Sequence, residues 1–139
     1  MERFQIDLLQ YKVFDKLDFA LQIRFRQVCK WFFRLEIHDF LNIDKKYVNR
    51  FSNKILMHYP SIKYLNASYN SGIDDNGIKH LNLIELNAYN NRKITDVNHL
   101  TKLQTLDASY RCGIDDKGIK DLNLVELITT CNYKITTKI

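Results

Sequence analysis

Residues 68–86 read SYNSGIDDNGIKHLNLIEL, and residues 109–127 read SYRCGIDDKGIKDLNLVEL. Fourteen of the 19 positions are identical, at a constant offset of 41 residues. Self-similarity of that length marks an internal duplication. It spreads to both sides. Upstream, Asn66-Ala67-Ser68 aligns with Asp107-Ala108-Ser109 and His58 with His99; downstream, Asn91-Arg92-Lys93-Ile94-Thr95 aligns with Asn132-Tyr133-Lys134-Ile135-Thr136. The four glycines, Gly72, Gly77, Gly113 and Gly118, all lie in this half, and the single proline, Pro60, stands at its start. Residues 1–60 therefore hold no glycine and no internal proline, as a set of helices would.

A shorter period runs inside the duplicated unit. Ile62, Leu65, Ala67 and Asn70 are followed by Ile73, and Leu83, Leu86, Ala88 and Asn91 by Ile94. Leu103, Leu106 and Ala108 come third, with Arg111 in the asparagine position; Leu124, Leu127, Thr129 and Asn132 come fourth, followed by Ile135. The starts are 21, 20 and 21 residues apart. The alternation within each unit is that of a strand with one buried face. An asparagine at the turn can bond neighbouring backbone through its side chain and stack from unit to unit. Arg111 interrupts that column, so a locally rearranged turn is expected there.

This pattern resembles the leucine-rich repeat family across residues 61–139. The stretches Ile73-Asp74-Asp75-Asn76-Gly77-Ile78 and Ile114-Asp115-Asp116-Lys117-Gly118-Ile119 resemble the I-T-D-x-G-L segment of the cysteine-containing class. In that reading an aspartate caps a short helix and the glycine permits a tight turn. The polar positions between the buried leucines would then face the concave side: Tyr64, Asn66 and Ser68; Glu85, Asn87 and Tyr89; Thr105, Asp107 and Ser109; Glu126, Ile128 and Thr130. Such a mix of Tyr, Asn, Ser and Thr with a few acids is an adaptable surface for an unknown target protein.

Residues 1–60 show apolar stripes at helical spacing: Ile6, Leu9, Val13, Phe14 and Leu17; Leu21, Phe25, Val28, Phe32 and Leu35; Val48, Phe51, Ile55 and Tyr59. Three amphipathic helices would cover the open end of a repeat array. Asp7-Leu8-Leu9, Leu17-Asp18 and Val28-Cys29-Lys30-Trp31-Phe32 resemble an F-box over residues 5–45, although Gln5-Ile6 stands where that family opens with Leu-Pro. The resemblance implies that Leu8, Leu9, Leu17, Val28, Cys29, Lys30 and Phe32 dock a Skp-type adaptor. An F-box ahead of leucine-rich repeats is a known pairing, and short chains of this kind resemble those of large DNA viruses.

Other function classes find little support. The chain of 139 residues is 45% hydrophobic and 27% charged, with no apolar run long enough to span a membrane. No signal-peptide pattern opens it. Three scattered cysteines, Cys29, Cys112 and Cys131, fit a reducing compartment. Residues 1–60 carry 11 Lys/Arg against 7 Asp/Glu, a net of +4, out of +5 for the whole. That balance suits an acidic partner; without a basic run or a phosphate loop, nucleic acid is not expected. The histidines lack metal-ligand spacing, no C-x-x-C is present, and adjacent aspartates do not share a helix face. No metal, cofactor or catalytic group is expected.

The expectation is thus an α/β chain. A leucine-rich-repeat solenoid of about four 20–21-residue repeats would stand behind an F-box-like cap of three helices, with residues 1–45 F-box-like, 46–60 a connecting helix and 61–139 the repeats. Function would be non-catalytic: a substrate receptor of a Skp-cullin-F-box-type ubiquitin ligase in the cytoplasm, of a host cell if viral. The alternative is a plain protein-binding module with a helical cap.

Overall fold

A computed structural model describes residues 21–22, 39–40, 52–69 and 71–137. The elements run β1 (Asp39–Phe40), α1 (Asn53–Leu56), β2 (Tyr64–Asn66), α2 (Asp75–Ile78), β3 (Glu85–Asn87), β4 (Thr105–Asp107), α3 (Asp116–Ile119) and β5 (Glu126–Ile128). The strands form one parallel sheet in chain order, β1-β2-β3-β4-β5. Register follows the sequence spacing: Leu65, Leu86, Leu106 and Leu127 stand in one row, with Phe40 beside Leu65. The next inward row is Ala67, Ala88 and Ala108, all fully buried. Ile73, Ile94 and Ile114 from the return segments close the same core.

This corrects the expected architecture. Among the described residues there is a five-stranded parallel sheet with three four-residue helices, and neither a solenoid nor a three-helix cap is seen. Spacing and L-x-L alternation dictate parallel strands in register, but they leave open how each return segment is filled. Here the returns are mostly turns, and no helix lies between β3 and β4. Of the stripe ending at Tyr59, Val48 and Phe51 lie outside the described residues; within 52–59 it forms α1 alone, since Ser52 is extended and bridges to Gly72. Asp39–Phe40 is the end strand of the sheet among the described residues, with Phe40 fully buried and edge-on to Tyr59 at 5.1 Å. The adaptor residues Leu8, Leu9, Leu17, Val28, Cys29, Lys30 and Phe32 lie outside the described residues, as does Asn70.

Side chains lock each unit to the next. Asn91, 1% exposed, donates through Nδ2 to the carbonyls of Ala67 at 2.7 Å and Ile73 at 3.2 Å. Asn132 does the same to Ala108 and Ile114, at 2.8 and 3.2 Å. In the third unit Arg111 is exposed, and the tie is made by the Gly113 amide to the Asn91 carbonyl at 2.9 Å. A Cβ on Gly113 would collide with the Ile94 and Arg92 carbonyls, so glycine is needed for that approach.

The paired aspartates divide the work. Asp74 and Asp115 cap α2 and α3, accepting from Asn76 in one case and from Lys117 and Gly118 in the other. Asp75 and Asp116 reach forward: Asp75 accepts from the Thr95 amide and hydroxyl at 2.8 and 2.7 Å, and Asp116 from those of Thr136 at 2.9 and 2.6 Å. The Thr136 hydroxyl and the amides of Thr137 and Thr136 hold the Asp116 carboxyl well below the usual carboxylate range. A depressed folded-state value adds stability above the ordinary value of 3.8, which is lost as pH falls through the folded one. In acid, the amide NMR shifts of Thr136 and Thr137 should therefore move toward unfolded values. Asp116→Asn should remove that pH dependence and lower the melting temperature; an unchanged acid transition would contradict the linkage.

Candidate functional site

Outward-facing strand residues form two rows with different duties. One row crosses the sheet as Asp39, Tyr64, Glu85, Thr105 and Glu126. The other is Asn66, Asn87, Asp107 and Ile128. In the second row, Asn66, Asn87 and Asp107 accept from the amides of Ser68, Tyr89 and Ser109 at 3.1, 3.0 and 3.0 Å. These Asx turns end the strands, so that row is committed to the fold. Ile128 has no such duty and is 39% exposed.

In the first row the four residues from Tyr64 to Glu126 are uncommitted. Tyr64, Glu85, Thr105 and Glu126 make no side-chain hydrogen bond with the described residues, and they are half-buried or exposed. Burial first, then the carboxylates of Asp39 and Glu126, push the Glu85 carboxyl up. The acids along the row thus sense one another and define a negative strip. Ser68 and Ser109, expected on the open side, are buried at 5% and 2% exposure. The Asx turns rotate the chain after the strand, which carries both serines inward.

Beyond the strands comes a column that the sequence reading missed. Tyr69, Asn90, Tyr110 and Cys131 have φ of 58, 57, 60 and 58°. A left-handed tyrosine costs about 1 kcal/mol. The loss is offset because the Tyr69, Asn90 and Tyr110 amides donate to the Tyr89, Ser109 and Thr130 carbonyls at 2.7, 3.0 and 2.7 Å. The turn stacks Tyr69, Tyr89 and Tyr110 with ring centroids 5.2 and 4.7 Å apart. Partial desolvation, then the hydrogen bond with Tyr110, pushes the Tyr89 phenol up to about 12. The equal spacing of Tyr69 and Tyr110 in the two copies was the available signal. Thr130, expected beside them, is exposed at the last strand's end.

Cys112 is buried, which raises its thiol, and Cys131 is exposed. Among the described residues no cluster of three metal-ligating side chains occurs. No described helix is long and apolar enough to cross a membrane. What the face offers is shape, aromatic area and unpaired polar groups, the materials of recognition. Comparison with protein-family models, with curated proteins and with solved structures finds no match.

Proposed function

We propose that this chain is a non-catalytic protein-interaction module whose contact element is the outer face of the parallel sheet. One observation carries the reading: four side chains in register across four strands, Tyr64, Glu85, Thr105 and Glu126, have no structural bond to make. A rigid sheet holding unbonded polar groups at about the 4.8 Å strand spacing presents a pre-ordered backbone, so no backbone entropy is lost in bringing those groups into register on binding. The tyrosine stack extends that surface with the residue type most useful at interfaces. The F-box resemblance of residues 5–45 supplies a purpose, the holding of a target protein beside a ubiquitin-transfer machine through a Skp-type adaptor.

Isotope-quantified co-purification from cells tests both parts in one experiment. The bait is the full chain, compared with a Glu85→Lys, Thr105→Lys double variant of unchanged circular dichroism. The target should fall about tenfold or more with the variant, while a Skp-type adaptor stays bound to both. Equal recovery of every partner would overturn the sheet-face reading, and absence of adaptor from both baits would overturn the ligase role.

A further inference from the structure

At the far end of the tyrosine column lies an open pocket of about 530 Å³, within the range of sites that hold a large side chain or small ligand. Arg92, Arg111 and Lys134 line it together with Tyr110 and Tyr133, and no carboxylate does. Arg92 and Arg111 form no ion pair or hydrogen bond among the described residues, and the Lys134 ammonium makes one long contact, 3.4 Å, to the Cys112 carbonyl. Three cations lining one pocket with no carboxylate among them offer an incoming anion a favourable Coulomb interaction from more than one side. Two guanidinium groups match an oxyanion in a way that ammonium groups cannot.

The internal duplication sharpens the point. At the position of Arg111 the second and fourth units carry Asn91 and Asn132, each of which bonds the preceding unit's backbone. The third unit gives up those bonds and presents a guanidinium instead. Tyr133 likewise stands where the second unit carries Arg92, and it is 90% exposed. The framework residues are shared between the copies, whereas Arg111, Cys131 and Tyr133, all lining this pocket, are not.

We propose that this pocket receives a phosphorylated aromatic side chain of a protein partner, the ring against Tyr110 and Tyr133 and the phosphoryl oxygens on Arg92, Arg111 and Lys134. The proposal rests on the protein-binding reading above and names the chemistry recognised at one end of that face. A peptide fits better than a nucleic acid because the neighbouring sheet is acidic. Asp107 leads into Tyr110, and Glu85 and Glu126 lie further along. A single phosphoryl group can be held while the rest of the segment stays clear of those carboxylates; a continuous phosphate backbone cannot.

Backbone-amide NMR titration of the full chain tests it with four probes: an Ala-phosphotyrosine-Ala peptide, its unphosphorylated parent, inorganic phosphate and an oligothymidylate. The phosphopeptide should give saturable shifts at Arg92, Arg111, Tyr133 and Lys134. Binding should be about tenfold weaker or worse for the parent and for Arg111→Asn, a variant carrying the residue that the second and fourth units use. Inorganic phosphate binding as tightly as the phosphopeptide would overturn the proposal, since the ring would then contribute nothing. So would tighter binding of the oligothymidylate, or an unchanged Arg111→Asn. If Arg111→Asn keeps the cellular target that Glu85→Lys, Thr105→Lys loses, the pocket fails and the sheet-face reading stands; if the double variant keeps the target, that reading fails whatever the peptide does.

Discussion

Leu86→Ala should cost about 3 kcal/mol of folding free energy, while the equivalent change at the sheet's outer strand, Leu127→Ala, should cost about 1 kcal/mol. Both leucines stand in the same row and descend from the same position of the duplicated unit. Leu86 is fully buried between Leu65 and Leu106. Leu127 is only half-buried, on a strand that pairs with β4 alone among the described residues. Truncating Leu86 loses its transfer free energy and also leaves a cavity walled by neighbouring strands that cannot move without breaking the ladder. A cavity at Leu127 opens toward the surface and can fill with water. Since domains of this size are stable by about 5–15 kcal/mol, the first change is a large fraction of the total. Urea unfolding with unchanged slope measures both, and equal losses would contradict the burial gradient.

Asn91→Ala should be nearly as damaging, at about 2–3 kcal/mol. Its side chain donates to the carbonyls of Ala67 and Ile73 where water is excluded, and accepts from the part-buried Lys93 amide at 2.9 Å. Alanine leaves the Ile73 carbonyl without that donor, whereas Ala67 keeps the Ser71 hydroxyl at 2.9 Å. The cost is therefore one stranded carbonyl and the lost bonds. Asn132→Ala should cost less, about 1–2 kcal/mol, because Asn132 is the less buried of the two, at 5% exposure against 1%. The same urea experiments apply, and an Asn91→Ala protein within about 0.5 kcal/mol of wild type would show that the asparagine column is not what ties the units.

The parts of this structure written most plainly in the sequence are those governed by local period. Spacings of 21, 20 and 21 residues place Leu65, Leu86, Leu106 and Leu127 in one row, and the Asn91 and Asn132 turns follow from an asparagine recurring at a fixed place in that period. Within residues 52–59 the helical stripe is realised only at Asn53–Leu56, because a stripe says which residues want burial and not what covers them. Ser52 and Phe40 met sheet partners far along the chain instead, and local propensity gave way. The site was legible only in outline. Alternation assigned Tyr64, Glu85, Thr105 and Glu126 to the open face, but it could not tell them from Asn66, Asn87 and Asp107, whose side chains are consumed by Asx turns. Ser68 and Ser109 were misplaced for a related reason: strict alternation assumes a strand that continues, and these strands last three residues. The tyrosine column depends on left-handed backbone at residues that seldom adopt it, a tertiary effect with no signature in composition.

The claim that the outer row of the sheet touches a partner is tested most directly by photo-cross-linking in cells. A benzophenone amino acid is placed at Thr105, in the middle of the row, and in a second variant at Thr101, an exposed position in the turn before β4. A discrete protein adduct from Thr105, lost on adding Glu85→Lys and absent from Thr101, is the predicted result. No adduct from Thr105, or the same adduct from both positions, would contradict the account.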